Sequence, residues 1–309
     1  MKIAFKIFST LIVFVMLAVS LTGCLVPDDS SSSADNTPEP TPTFKLMSYN
    51  MRIHVLVPGD KRVEYDSAKD RKDLMLKHIA DADPDIICVQ EWTPVHAEYV
   101  GEALEETYDY LEFDRGDLFE QHAIFFKPDR FELVESGQYW LSETPDEPSF
   151  SWDASYPRIY AYALLRDKKT DKTIRVGTTH LELNIEALGK QRKMVVDYTA
   201  QSQEPAIVCG DFNFDALSKL YLYCINNLND CRTLCPTATT TASYNGYNLA
   251  TEKVLDENGN VKDGYGYPID QIFVKRNAFT VHSYDVLNYL IDGKFSSDHF
   301  PVVVELSLN

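Results

Sequence analysis

Short runs of apolar residues recur from residue 44 to the C-terminus: Phe44–Asn50, Asp85–Gln90, His122–Lys127, Tyr160–Arg166, Thr173–His180, Pro205–Gly210, Ile269–Lys275 and Pro301–Leu308. Many alternate with polar residues or are wholly apolar, and Val, Ile and Tyr are frequent, so each predicts a strand. Helical spacing predicts helices between them. Asp66–Ala82 places Leu74, His78 and Ile79 at helical spacing. Pro94–Thr107 opens on Thr93-Pro94, a cap followed by a first-turn proline. Glu186–Gln201 aligns Leu188, Val195 and Tyr198, and Ala216–Asn227 follows a turn at Gly210–Asp215. Strict βαβ alternation is absent and strands dominate late in the chain. The expected architecture is therefore strands packed sheet on sheet with helices outside. Ser142–Pro157 and Ala250–Tyr267, rich in turn-forming and polar residues, read as loops, the first of them near the site.

Residues 1–23 carry a different pattern. Lys2 and Lys6 precede an apolar run from Ile7 to Leu21, which ends in Leu21-Thr22-Gly23-Cys24. That is the layout of an export signal. A Cys directly after small residues resembles the lipobox of bacterial lipoproteins, in which Cys24 would become the lipidated N-terminus. An ordinary signal peptide and an uncleaved span are the plainer alternatives. Residues 24–43 hold Ser30 to Ser33 with Pro38, Pro40 and Pro42, a composition that suits a flexible tether. The expected organisation is a leader (1–23), a tether (24–43) and one catalytic domain (44–309). The expected location is outside the cytoplasm, held to a bacterial cell membrane through the lipid.

The 44% hydrophobic fraction is ample for a core, and 25% charged residues suit a globular chain. The net charge of −18, with no cluster of Lys and Arg, disfavours tight sequence-independent binding to long nucleic acid. A small phosphate ester meeting a cation in a pocket is still compatible with it. Cys88 and Cys209 sit in apolar runs and read as buried thiols. Cys224, Cys231 and Cys235 leave a disulfide and free thiols equally open, while zinc lacks a fourth ligand at a suitable spacing.

Chemistry concentrates where the apolar runs stop. The first strand ends at Asn50, the second at Gln90-Glu91, another at His180, another at Asp211-Phe212-Asn213, and Asp298-His299 precedes the last. Strand ends on one side of a sheet converge. Carboxylates and amides with His are hard ligands and proton handlers that suit Mg²⁺ or Mn²⁺. Any one of these residues alone would read as a turn or cap; five together read as a site.

The stretches Ser48-Tyr49-Asn50-Met51-Arg52, Ile87-Cys88-Val89-Gln90-Glu91, Thr179-His180-Leu181, Gly210-Asp211-Phe212-Asn213, Ile269-Asp270-Gln271 and Ser297-Asp298-His299-Phe300-Pro301 resemble, in order, the endonuclease/exonuclease/phosphatase superfamily of the deoxyribonuclease I type. The resemblance implies an α/β (α+β) four-layer sandwich, two mixed sheets face to face with helices on the outer faces. It implies that Glu91 is the main metal ligand with Asn50 beside it and Asp298 near the metal. Asp211 would orient or deprotonate the attacking water, and Asn213 would hold that water or the phosphate. His180 and His299 would contact the phosphate, and Asp270 would orient His299. Leu181-Glu182 and Gln271 depart from the family pattern, which bears on substrate contacts more than on the reaction. Arg158, in a segment that begins at Trp140, reads either as a phosphate contact or as a loop ion pair, and Arg71 as a charge on a helix surface.

The expected activity is hydrolysis of a phosphodiester or phosphomonoester by activated water, with Mg²⁺ as cofactor and Mn²⁺ as its substitute. The substrate could be a small molecule, a phospholipid head group or a nucleic acid, and the chain is expected to act as a monomer. A binding lipoprotein that keeps the fold but has lost catalysis is the alternative; it would predict losses among the catalytic positions, and none is seen. A glycosidase with paired carboxylates would account for Glu91 and Asp211 but not for the His and Asn set.

Overall fold

Two faces of burial explain the wholly apolar runs. In β1 (Thr43–Asn50), Phe44 and Leu46 point into one apolar cluster while Met47 and Tyr49 point into another. In β2 (Ile86–Trp92), Ile86 and Cys88 face the first cluster and Ile87 and Val89 the second. A strand covered on both faces needs apolar residues at every position, so alternation disappears. The computed structural model describes residues 41–54, 68–116, 120–238, 241–247 and 266–309. The leader, Cys24 and the tether as far as residue 40 lie outside the described residues, as does most of the loop expected over Ala250–Tyr267. Among the described residues, no helix is long and apolar enough to cross a membrane.

The strands form two six-stranded mixed sheets. The remaining members of the first are β3 (Asp109–Asp114), β4 (Gln121–Phe126), β11 (Phe279–Val286) and β12 (Val302–Leu308), in the order β11-β12-β1-β2-β4-β3. The second comprises β5 (Phe131–Trp140), β6 (Ile159–Asp167), β7 (Lys172–His180), β8 (Ala206–Asp211), β9 (Leu228–Asp230) and β10 (Asp270–Lys275), in the order β5-β6-β7-β8-β10-β9. Each sheet has one parallel pair at its centre, β1 with β2 and β7 with β8, and antiparallel neighbours outside it. The central core lies between the sheets and joins Leu46, Cys88 and Ile124 to Val176, Cys209 and Ile272.

Helices cover the outer faces. On the first sheet, α1 (Ala68–Ala82) buries Met75 and Ile79 against Met47 and Val89. Beside it, Pro94–His96 continues through a π turn at Ala97–Gly101 into Glu102–Leu104; Thr93 caps it, its side chain accepting from the His96 amide. On the second sheet, α2 (Ile185–Ala200) buries Leu188 and Val195 against Tyr160 and Val208, and Asn184 caps it. The helix expected from Ala216 begins at Tyr221, as α3 (Tyr221–Asn227). The four layers are thus as expected. Cys88, Cys209, Cys224, Cys231 and Cys235 are all free and buried, so no disulfide forms among them.

Candidate active site

The C-terminal ends of β1, β2, β7 and β8 and the N-terminal ends of β10 and β12 meet at one edge of the sandwich. The parallel pairing at the centre of each sheet brings this about, because Asn50 lies beside Gln90 and His180 beside Asp211. The two sheets are joined there by Gln90, whose Nε2 donates to Thr178 Oγ1 at 2.9 Å. A cleft of about 710 Å³ opens on this edge, lined among others by Glu91, Arg158, His180, Asp211, Asn213, Asp298 and His299.

Local backbone choices aim these side chains. β2 pairs Val89 with Ala123 but Trp92 with Gln121, so Gln90 and Glu91 bulge out of the ladder. Glu91 takes a φ of +58° there, which turns its carboxylate into the cleft. Arg52 (φ +60°) and Asn213 (φ +54°) are held in the same left-handed region. Such strain in non-glycine residues clusters at functional sites. Gly210 is required for a different reason: at φ +138°, a Cβ would stand 1.9 Å from the Thr179 carbonyl oxygen. Only glycine lets β7 and β8 approach closely enough to place His180 beside Asp211.

Asp211 is the point of convergence. Its Oδ2 lies 3.5 Å from His180 Nε2 and 3.7 Å from His299 Nε2, and it accepts from Asn50 Nδ2 at 3.2 Å. Each histidine is held from behind by an acid. His299 Nδ1 is 2.7 Å from Asp270 Oδ2, which also accepts from Ser243 Oγ at 2.5 Å. His180 Nδ1 is 2.7 Å from Glu120 Oε1. Burial works against a charge on His299, but the Asp270 and Asp211 carboxylates outweigh it and raise its pKa to about 10. Burial opposes the charge on Glu120 as well, yet His180, Arg158 and Arg115 hold its carboxyl well below the usual range.

Glu91 and Asn50 form the next group. Asn50 Nδ2 donates to Glu91 Oε1 at 3.1 Å, and the Ile53 amide donates to Glu91 Oε2 at 2.7 Å. Asp298 lies 3.6 Å from Arg52 Nη1. Burial, and after it the Glu91 charge, raise the Asp298 pKa against the opposing pull of His299. Glu91 and Asp298 bring carboxylate oxygens of the kind Mg²⁺ or Mn²⁺ takes to the cleft, while Asn50 turns its Nδ2 to Glu91 and Asp211 and its Oδ1 accepts from the Arg52 amide. Ligand atoms of Asp211, Asp270 and His299 also lie within 4.8 Å of one another and could hold a cation. The direct Asp270–His299 hydrogen bond already occupies part of that second set.

All ten residues singled out from the sequence except Cys24, which lies outside the described residues, fall in or against this cleft. Asn213 is held by Leu181, its Nδ2 donating to that carbonyl at 2.7 Å. Asp270 stands behind His299, and Asn50 is buried beneath Glu91 and Asp211. Arg158 lines the cleft and lies 3.6 Å from Glu120 and 3.7 Å from Glu182, so it is both a cleft residue and a member of ion pairs. Arg71 is not a surface charge. It is 2% exposed and bonds three backbone carbonyls beneath the site. Glu120 escaped the sequence reading, which looked at strand ends, because it stands just before the start of β4. Tyr156 and Tyr244, which also line the cleft, sit in loops with no periodic signal.

The model of the endonuclease/exonuclease/phosphatase family matches residues 47–299. Two solved structures from Bacteroides thetaiotaomicron are similar to this one. An endonuclease/exonuclease/phosphatase family protein is 29% identical, with a TM-score of 0.74, covering 87% of this chain and 99% of its own. A mannosyl-6-phosphatase is 30% identical, with a TM-score of 0.71, covering 85% of this chain and 99% of its own. An uncharacterized protein of Acanthamoeba polyphaga mimivirus is 27% identical over 253 residues, 76% of this chain and 91% of its own.

Proposed function

The chain belongs to the endonuclease/exonuclease/phosphatase family, and from that premise we propose that it is a divalent-metal-dependent phosphoesterase. The observation that carries this reading is the convergence of two acid-backed histidines on Asp211 Oδ2, at 3.5 and 3.7 Å. Hydrolysis of a phosphate ester needs an activated water, an aligned leaving group and compensation for charge on the phosphoryl oxygens.

Asp211 is placed to accept the proton of the attacking water. His299, protonated at neutral pH because its pKa is raised to about 10, donates to a phosphoryl oxygen as negative charge develops there. Asp270 keeps the His299 ring oriented, and Glu120 does the same for His180. Asn213 contacts the water or the phosphate, and Arg158 adds positive charge on the Glu120 side of the cleft. A divalent cation held by Glu91, with Asn50 and Asp298 beside it, would supply Lewis acidity and alignment.

The net charge of −18 favours a small ester over a long polyanion. The likeness to a mannosyl-6-phosphatase makes a sugar phosphate the first substrate to try. The leader and Cys24 support action outside the cytoplasm, on a lipid anchor. Purified protein should turn over mannose 6-phosphate, bis-p-nitrophenyl phosphate, plasmid DNA or sphingomyelin with Mg²⁺ and stop on adding EDTA. Absence of turnover of all four, by wild type and His299→Ala alike, would sink the enzyme reading for those substrate classes. Turnover that survives EDTA would sink the metal.

A further inference from the structure

The guanidinium of Arg71 lies beneath the site. Nη1 donates to the carbonyls of Met51 and Ser296, each at 2.6 Å, and Nη2 donates to the Arg52 carbonyl at 2.9 Å. Among the described residues no carboxylate pairs with it. Among the described residues its Nε has no partner, and its charge is felt by the Asp298 carboxylate; burying a charge is costly unless its geometry is good, and here the direct bonds all go to backbone carbonyls.

They belong to two chain segments. One leaves β1 and contains Arg52, at φ +60°, whose amide donates to Asn50 Oδ1 at 3.0 Å. The next amide, of Ile53, donates to Glu91 Oε2 at 2.7 Å. The other segment enters β12 and carries Asp298 and His299; within it Ser297 Oγ donates to the Asn50 carbonyl at 2.7 Å. The planar fork of Arg71 thus spans both loops. By holding the carbonyls of Met51 and Arg52, it fixes the turn whose amides aim at Asn50 and Glu91. A left-handed turn at a residue with a side chain persists only where its surroundings over-determine it.

The helix α1 also docks through contacts other than this fork. Met75 and Ile79 pack the helix on the sheet, and His78 reaches Ser296 Oγ through Nδ1 at 2.9 Å. We propose that Arg71 is a positioning residue, a buried clamp that sets the spacing between the loop orienting Asn50 and Glu91 and the loop carrying Asp298. The proposal rests on the hydrolase reading for its consequence and on the backbone contacts for its mechanism.

The test compares full-length wild type with Arg71→Lys, Arg71→Met and, as a stability control on the same helix, Ile79→Ala. A lysine offers a point charge in place of a planar fork and does not reproduce the two-nitrogen geometry that reaches both loops. Amide hydrogen exchange is read at Arg52 and Ile53, melting temperature on each protein, and kcat and KM on bis-p-nitrophenyl phosphate. In Arg71→Lys, exchange at Ile53 should rise by about tenfold or more over that in Ile79→Ala. Its kcat should fall by about 10²-fold with KM little changed, the cost of a misplaced catalytic group. Ile79→Ala should lower the melting temperature and keep its kcat. Wild-type exchange at Ile53 in Arg71→Lys, or a rise spread evenly over the chain as in Ile79→Ala, overturns the clamp, as does an unchanged kcat in an active enzyme. If the wild type hydrolyses none of the substrates, the function reading fails and exchange alone decides the clamp. If Arg71→Met does not fold, Arg71→Lys carries the test.

Discussion

Two buried histidines, His299 and His122, each lie near a carboxylate, and their pKa values move in opposite directions. His299, on the β10/β12 side, is raised to about 10; His122, on the β4 side, is lowered to about 3. Burial opposes the charge in both. On the first side, Asp270 and Asp211 both favour the cation, and among the described residues Asp270 Oδ2 is hydrogen-bonded to His299 Nδ1 and to the Ser243 hydroxyl, whose oxygen in turn accepts from the Ile269 and Asp270 amides. On the second side, Glu120 is 3.8 Å from His122 but is shared with Arg115 at 2.6 Å, Arg158 at 3.6 Å and His180 at 2.7 Å. Arg115 and Arg158 take up its charge and oppose a further one on His122. Two carboxylates outweigh burial and keep His299 cationic at neutral pH, whereas a single carboxylate shared with two arginines and a second histidine leaves His122 neutral there.

The largest expected effect removes the group both sides share. Asp211→Asn should lower kcat by about 10²–10⁴-fold, as for a proton-handling group, and steady-state kinetics would expose a smaller loss. Next comes the shared acid. Glu120→Gln leaves Arg115 and Arg158 with less compensation in a buried cluster and should cost about 3–5 kcal/mol in urea unfolding. A neutral result would mean that Glu120 is not the hub. Asp270→Asn should act on chemistry more than on stability, with kcat reduced by about 10²-fold. Wild-type activity should be lost as pH rises through about 10, where His299 deprotonates, and the variant should lose it at lower pH. The same proton stabilises the fold fully below the unfolded value of 6.5, and that contribution fades between 6.5 and about 10. The smallest effect concerns His122. Its folded pKa of about 3 lies below 6.5, so the unfolded chain takes up a proton first as pH falls, and stability drops through that window. His122→Asn should flatten this acid slope by on the order of a few kcal/mol; an unchanged slope would show that His122 titrates normally.

How much of the fold could be read in advance depended on where a strand sits in its sheet. All eight strands expected from the sequence are interior: β12, β1, β2 and β4 in one sheet, β6, β7, β8 and β10 in the other. The four that escaped, β3, β5, β9 and β11, are the four sheet edges. Of the ten residues of β5 only Phe131 is buried, and β3 buries only Phe113. An edge strand is paired on one side and open to water, so its sequence need not be apolar. The site divides the same way. Asn50, Glu91, His180, Asp211 and His299 stand at the ends of interior strands and mark themselves by breaking an apolar run. Glu120 and Arg71 do not, since one precedes a strand and the other looks like any polar residue of a helix.

The sequence alone determined that apolar strands would stack in layers, because period and burial are local properties of the chain. It also determined that a cluster of acids, amides and histidines would end those strands. Only the tertiary structure decided which acid backs which histidine, that Glu120 is divided among cations while Asp270 is not, and that Arg71 lies buried against two loops. Those outcomes depend on distances between residues far apart in sequence: Glu120 and His180 are separated by 60 positions, Arg71 and Ser296 by 225. Electrostatic partnership falls off over a few ångströms, and no local pattern encodes a contact of that kind.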